Sequence, residues 1–488
     1  MGEVLQAFLD SGWLAKSFAA IALGSTLVII AVILSENRNP VKSLAWVTVL
    51  LLLPVVGLIL YIFFGRNIKN KRMISRRNRR KLRRGEKNTH VDPRDIGLSP
   101  EATTQINLGR TLSGAQLYAG NNVEIFTDGK SKFDSLLADI SSARHSINLE
   151  YYIFSDDETG HKIATALIGK ARQGVAVRVI YDHVGSFSAR SGFFKELTRN
   201  GVEAYPFFKV SVPWLGTRVN WRNHRKICVI DGAIGYIGGM NIADRYIDGG
   251  KFHHWRDTHV RVTGPIVKAL QYSFAVDWNF MGRGLIDLDE PRDMPHIQKE
   301  AHGMIHGVGM QLLSSGPMSQ WSNIALAFLK AIANARRRVF IQTPYFLPDE
   351  ALLKALQTAA LAHVDVRIII PRRGDSWMLT HASASYIAEC LRAGIKIYLY
   401  DKGMLHSKMM IVDDEIVTIG STNFDFRSFD YNFESNLFFF SKEMTARMLT
   451  IFKTDLADST RIQPARWRRR SLVDKIAESI LRLLSPVL

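Results

Sequence analysis

The stretch "NHRKICVIDGAIGYIGGMN", Asn223 to Asn241, decides how this chain folds. "KICVI" and "IGYIGG" are apolar, β-branched runs, and the turn-forming "DGA" lies between them. Together they read as a β-hairpin. Its leading strand sets His224, Lys226 and Asp231 in the order H-x-K-x-x-x-x-D. About 180 residues later "LHSKMMIVDDEIVTIGSTN" repeats that order with His406, Lys408 and Asp413. In each copy an asparagine, Asn241 or Asn423, follows ten residues after the aspartate. A single motif of this kind arises by chance in a chain this long on the order of a few per cent of the time. Two copies with matched asparagines lie far outside chance.

Folding each hairpin about its central pair, 232/233 and 414/415, sets His224 opposite Asn241 and Lys226 opposite Gly239. The second copy sets His406 opposite Asn423 and Lys408 opposite Ser421. Histidine and lysine, two apart, share one strand face. Each hairpin is thus expected to present an imidazole, an ammonium, a carboxamide and, at Gly239 or Ser421, a small gap suited to a phosphate. The aspartates have the opposite parity and sit at the turns, where Asp hydrogen-bonds local backbone. Asp231 and Asp413 are therefore read as structural.

The chemistry that uses such a set is phosphoryl transfer through a covalent intermediate. One neutral histidine attacks phosphorus. The second protonates the leaving alcohol and then deprotonates the incoming one. Lys226, Lys408, Asn241 and Asn423 stabilise the non-bridging oxygens, as a metal does elsewhere. Each histidine also needs an acid on its far nitrogen to fix the tautomer. Asp257 in "HHWRDTHV" and Glu434 in "DYNFESN" are the candidates. No C-x-x-C or H-E-x-x-H spacing is present, so no metal site is evident and no cofactor is expected. Cys228 and Cys390 lie in apolar runs and read as buried thiols.

The paired motif belongs to a larger repeat. Residues 130–160 and 322–352 match at a constant offset of 192. In each copy an apolar helical stripe leads into a strand, "ARHSINLEYYIF" or "ARRRVFIQTPYF". Helices at 161–173 and 350–362, strands "VAVRVIYD" and "VDVRIIIP", and helices at 193–200 and 382–393 follow. Alternating strand and helix predict an α/β layer structure in each half. The first half carries about ten extra residues, "KVSVPWLGTRVNWR", in which Trp214 and Trp221 either rim an entrance or pack. "SSGP" at 314–317 reads as a loop whose Ser314 or Ser315 could line a phosphate pocket.

The chain has 63 Lys and Arg against 45 Asp and Glu, a net charge of +18, which implies an anionic partner. Trp13 to Leu34 and Leu44 to Phe64 are apolar runs of about 21 residues, long enough to cross a bilayer as helices. "GRNIKNKRMISRRNRRKLRRGEK" follows, with twelve Lys and Arg against two in the loop 35–43. That bias places the large domain on the cytoplasmic side and its basic run against anionic lipid. "RWRRRSLVDKIAESILRLLSPVL" closes the chain as a basic amphipathic helix, expected either on the membrane or docked on the protein. The expected order is two transmembrane helices (1–65), a basic linker (66–110), two halves (111–312 and 313–462) and the C-terminal helix (463–488).

The residues of the doubled motif resemble the "HKD" signature of the phospholipase D superfamily. "NPVKSLAWVTVLLLLPVVGLILYIFFGR", "EYYIF", "GGMNIAD", "WRDTH", "LQYSFAVDW", "TPYFLPDE" and "FDFRSFDYNFESN" extend the likeness to the bacterial cardiolipin synthases over nearly the whole chain. The resemblance implies two pseudo-symmetric α/β/α halves with mixed sheets behind a membrane hairpin, one active site between them and no required metal. It implies transfer of a phosphatidyl group between two phosphatidylglycerol molecules in a bacterial inner membrane. It implies that the supporting acids cross the dyad, Glu434 to His224 and Asp257 to His406, and that the first histidine is the nucleophile. A hydrolase releasing phosphatidic acid, or a transferase taking phosphatidylethanolamine as second donor, is the nearest alternative. A nuclease fits poorly beside two apolar spans, and a non-catalytic scaffold need not keep both His-Lys-Asn sets. The oligomeric state, a homo-oligomer included, is left open.

Overall fold

The computed structural model describes residues 12–35, 40–61, 72–82, 91–209, 220–286, 288 and 303–485. Two compact units divide the chain: residues 1–68 with 210–220, and residues 69–209 with 221–488.

In the first unit the apolar runs are helical, at Trp13–Ser35, Pro40–Leu52 and Pro54–Leu60. The second run, expected as one span over 44–64, is divided at Pro54, whose ring and missing N–H interrupt a helix. Gly57 lets the resumed helix sit against the Val49 carbonyl, where a Cβ would come to 2.8 Å. Ile33, Leu50 and Tyr61 are buried together, with Trp46 edge-on to Tyr61 at 5.3 Å. The outward side chains are nevertheless apolar: Ile21, Leu27, Val28, Leu51, Leu52 and Val56 are all exposed. Among the described residues no helix is long and apolar enough to cross a membrane. Residues 36–39 of the loop 35–43, the end of the second run and Trp214 lie outside the described residues.

In the second unit each half contributes seven main strands. The first half has β1 (Leu117–Phe126), β2 (Ser146–Tyr151), β3 (Ala176–Asp182), β4 (Glu203–Phe207), β5 (Lys226–Ile230), β6 (Ile234–Gly238) and β7 (His259–Thr263). The second has β8 (Ile305–Ser315), β9 (Arg338–Gln342), β10 (Asp365–Pro371), β11 (Lys396–Tyr400), β12 (Met409–Val412), β13 (Ile416–Gly420) and β14 (Asn432–Phe440). They join one 16-stranded sheet in the order β4-β3-β2-β5-β6-β7-β1-β8-β14-β13-β12-β9-β10-β11, closed by Ser459–Arg461, with the sixteenth strand, Arg222–Asn223, pairing with β14 off this path. Reading outward from the antiparallel β1–β8 pair, the two halves follow the same order. In each, three strands are parallel (β2-β3-β4; β9-β10-β11) and the rest antiparallel.

The halves therefore share one sheet instead of keeping two. The pairing divides it before Ile305, so a boundary at 312/313 cuts through β8. Ser314 and Ser315, expected in a loop, close that strand. Alternation along β5 sends Cys228 and Ile230 to the core under the helices Gly129–Ser142 and Glu158–Arg172. It sends Ile227 and Val229 to a core that runs under Val267–Phe280 and Lys442–Ala457 and holds residues of both halves. Strands buried on both faces read as continuous apolar runs. Asp128, Asp157, Asp349, Ser376 and Ser441 accept from the backbone at helix starts, the last turn of the fold's local punctuation. The helix expected at 382–393 begins earlier, at Trp377, behind the Ser376 cap.

The C-terminal helix, Leu472–Leu484, packs on Trp377–Arg392 through buried Leu481 and an Arg482–Glu389 ion pair. Leu472, Val473, Ile476, Ile480 and Leu483 stay exposed on its other side. Docking thus uses a narrow face and leaves the wide apolar one open.

Candidate active site

The hairpins carry the site in a register one residue from that expected. Ile230 pairs with Ile234 and Ile227 with Ile237; Val412 pairs with Ile416 and Met409 with Ile419. Each turn holds three residues instead of two. Asp231 (φ 52), Gly232 (φ 67) and Asp413 (φ 51) adopt the left-handed conformation, which Asp tolerates better than most side chains. Lys226 consequently falls opposite Gly238, not Gly239.

The aspartates do not bond their own turns. Asp231 accepts from the backbone N–H of Arg144, His145 and Ser146 at 2.8, 2.8 and 2.7 Å. Asp413 accepts from Arg337 and Arg338 at 2.8 and 3.0 Å and from Arg336 at 3.0 Å. Each thus fixes the entry to the neighbouring parallel strand, β2 or β9.

The two halves meet at the histidines through matching short ladders. Arg222–Asn223 pairs in parallel with Asn432–Phe433, and Met404–Leu405 with Trp255–Arg256. The ladders continue as backbone bonds, His224 N–H to the Phe433 carbonyl at 3.0 Å and His406 N–H to the Arg256 carbonyl at 2.7 Å. The acid that follows each ladder is thereby delivered to the other half's histidine. Glu434 lies 2.9 and 3.1 Å from His224 Nδ1, and Asp257 lies 2.7 Å from His406 Nδ1.

Burial would raise both acids, but Lys408 and His406 around Asp257, and His224 and Lys226 around Glu434, hold them below the usual carboxylate range. A carboxylate only accepts, so a facing Nδ1 carries the proton and leaves Nε2 bare. Burial, against the pull of Glu434, lowers His224 to about 4. Burial and Lys408, against Asp257, lower His406 to about 4. Both imidazoles are neutral at pH 7. Burial also lowers Lys408 to about 8 and Lys226 well below an ordinary lysine. Lys226 Nζ donates to the His224 carbonyl at 2.6 Å, and Lys408 Nζ to the His406 carbonyl. Lys408 Nζ also lies 2.6 Å from His406 Nδ1, a contact that His224 does not share with Lys226.

The small positions serve the acids. A Cβ on Gly239 would run into the Asp257 carboxylate, whereas Ser421 Oγ donates to Glu434 Oε2. Neither stands as the gap for a phosphate that the expected register suggests. Asn241 Oδ1 accepts from Ile153 N–H at 3.1 Å and its Nδ2 donates to Tyr246 Oη at 2.8 Å. Asn423 Oδ1 is buried with no hydrogen-bond partner among the described residues. Trp221 packs near Phe208, at 6.2 Å between ring centroids. Tyr152 stands edge-on to His224 at 4.9 Å and Trp255 lies 5.4 Å from His406.

One link left no mark in the sequence. The middle residue of each H-x-K bonds the residue after the opposite acid: Arg225 Nε to Ser435 Oγ at 2.9 Å, and Ser407 Oγ to Thr258 Oγ1 at 2.7 Å. The two copies use different side chains, so no repeated letter betrays the shared position.

A crystal structure of phosphatidylserine synthase from Haemophilus influenzae Rd KW20 is similar in fold, with a TM-score of 0.59 at 13% identity over 79% of this chain and 100% of that one. The family described as cardiolipin synthase, PLD-like domain, matches residues 136–278 and 328–456, and the phospholipase D-nuclease N-terminal family matches 25–66. The major cardiolipin synthase ClsA of Bacillus subtilis (strain 168) is 40% identical over 95% of this chain and 97% of its own. A cardiolipin synthase of Listeria welshimeri is 39% identical over 93% of this chain and 95% of its own. The chain belongs to the cardiolipin synthase family of phospholipase D-like proteins.

Proposed function

We propose that the chain works as a cardiolipin synthase, a phosphatidyltransferase joining two phosphatidylglycerol molecules with release of glycerol. The observation that carries the mechanism is the crossed pairing of two neutral, buried histidines with ionised acids from opposite halves.

His224 Nε2 attacks the phosphorus of the first phosphatidylglycerol. A P–N bond forms, the P–O bond to glycerol breaks, and His406 gives its Nε2 proton to the leaving oxygen. The anionic phosphodiester, on binding, raises the pKa of His406, which takes that proton onto Nε2 from water before the step. His406 then takes the proton of a glycerol hydroxyl on the second phosphatidylglycerol. That oxygen displaces His224, closing the new P–O bond as P–N breaks. Lys226 and Lys408 stabilise the phosphoryl oxygens, and Asn423 is placed to help through its carboxamide. Asn241, held by Ile153 and Tyr246, supports the site from behind. The uncontested Glu434–His224 contact favours His224 as nucleophile, because an undisturbed Nδ1–H keeps Nε2 bare. Lys408 competes for Nδ1 of His406, which eases a proton onto its Nε2.

The apolar N-terminal helices are read as a membrane hairpin with the catalytic unit on the cytoplasmic side of the bacterial inner membrane. Their exposed apolar faces and the basic run after them support this. The open apolar face of the C-terminal helix, led by Arg466, Arg468 and Arg469, lies on the bilayer surface. Purified full-length protein with labelled phosphatidylglycerol and no added metal is expected to yield cardiolipin and glycerol in equal amounts. Phosphatidic acid as the main product would favour hydrolysis instead. Cardiolipin formed only when phosphatidylethanolamine is present would favour the other second donor.

A further inference from the structure

Behind the strand that carries Glu434 lies a cavity of ≈ 650 Å³ that none of the catalytic histidines or lysines lines. Arg225 sits between His224 and Lys226, so strand alternation sends its side chain to the far face, where it lines this cavity. Arg225 bonds Ser435, and Ser435 Oγ lies 3.0 Å from Ser314 Oγ, another lining residue. The cavity is therefore separate from the reacting groups but built on β8 and on β14, the strand that carries Glu434.

Its lining is chemically uneven. Arg72, Arg76 and Arg79, from the basic run, stand exposed along one wall, with Arg76 and Arg79 on one face of the helix Arg76–Leu82. The one carboxylate among the described lining residues, Asp277, is already engaged by Arg225. Met73, Ile74, Val276, Met318 and Phe433 supply apolar surface. Ser315 Oγ and Asn323 Oδ1 belong to lining residues only 2% and 5% exposed, and neither has a hydrogen-bond partner among the described residues. Buried polar atoms left without partners are uncommon and call for an explanation. Cations around a half-apolar hollow suit a phosphate tethered to a greasy body.

We infer that this cavity is a second, non-catalytic binding site for an anionic phospholipid, its phosphate held by Arg72, Arg76 and Arg79 and its body against Met73, Ile74 and Phe433. The recognised chemistry is the phosphate group; the choice of a lipid to carry it rests on the proposed activity. Ser315 Oγ then has an ester oxygen of the glycerol backbone to donate to.

The test is equilibrium binding of dihexanoyl phosphatidic acid, which lacks a leaving alcohol, to the full-length protein in non-ionic micelles. R72Q/R76Q/R79Q is expected to bind one molecule fewer per chain than the unmodified protein, while still making cardiolipin. Ala269→Phe narrows the cavity from the helix Val267–Phe280 without removing charge and is expected to lose the same molecule. Displacement of that lipid by inorganic phosphate supports the site and marks the phosphate group as sufficient. Failure of phosphate to displace it, with loss in both variants, supports the site and marks the lipid body as required. Identical binding by all three proteins overturns the inference, as does equal binding of dihexanoyl phosphatidylcholine. Binding stoichiometry does not depend on turnover, so a failure of the catalytic reading is seen separately, as missing cardiolipin.

Discussion

The half-sites at His224 and His406 solve one problem with different parts. Both receive an acid from the opposite half, after a two-residue parallel ladder. At His224 the longer Glu434 reaches across and is steadied by Ser421; at His406 the shorter Asp257 fits because Gly239 leaves room. Pseudo-symmetry is thus kept in the backbone pairing, while side-chain lengths compensate each other. The difference teaches that a position in one half cannot be exchanged for its counterpart alone.

Removing either histidine breaks the comparison most severely. His224→Ala is expected to lose about 10⁴-fold or more in turnover, and His406→Ala about 10²–10⁴-fold, the usual range for a lost acid–base group. Full activity in either variant, assayed on phosphatidylglycerol, would contradict a two-histidine site. The compensating pair is sharper. Gly239→Ala forces Asp257 from His406 and is expected to lower kcat about 10²-fold, whereas Ser421→Gly removes one bond and is expected to lose about tenfold or less. Equal effects would show that the small positions do not serve the acids differently.

The turn aspartates separate stability from chemistry. Asp231→Asn puts a donor against the N–H groups of Arg144, His145 and Ser146 and is expected to cost about 2–4 kcal/mol of unfolding free energy. The folded fraction should keep near-normal turnover; a stable but inactive variant would overturn the structural role.

The smallest effect is in pH. Both histidines fall from an ordinary 6.5 to about 4 in the folded protein. Between those values the unfolded chain binds more protons than the folded one. Their contribution to stability is therefore level above pH 6.5 and shrinks as pH falls toward 4. The acid limb of kcat/KM should likewise appear near pH 4, because the nucleophile of the resting protein stays neutral down to there. A limb near 6.5 would show that burial does not govern these imidazoles.

Much of the site is legible in the letters because a strand has a period of two. His224 and Lys226 must share a face wherever the turn falls. Which residue stands opposite them depends on turn length, and the left-handed Asp231 and Gly232 open a three-residue loop that shifts every partner by one. The continuous sheet was hidden for another reason. It depends on pairing β1 with β8, two strands from opposite halves, and no local pattern specifies a contact that distant. The Arg225–Ser435 and Ser407–Thr258 links were hidden because the copies share geometry but not residue type. The arginine-lined cavity combines the basic run with β8 and β14, segments whose proximity only the fold creates.

The most direct measurement is to trap the phosphatidyl–protein intermediate by rapid quench in denaturing detergent at neutral to alkaline pH, where a P–N bond survives, with labelled phosphatidylglycerol, and map the modified residue. The expected result is label on His224, retained in His406→Ala and absent in His224→Ala. Label on His406, or no covalent intermediate in a protein that still makes cardiolipin, would contradict the assignment of nucleophile and acid to the two halves.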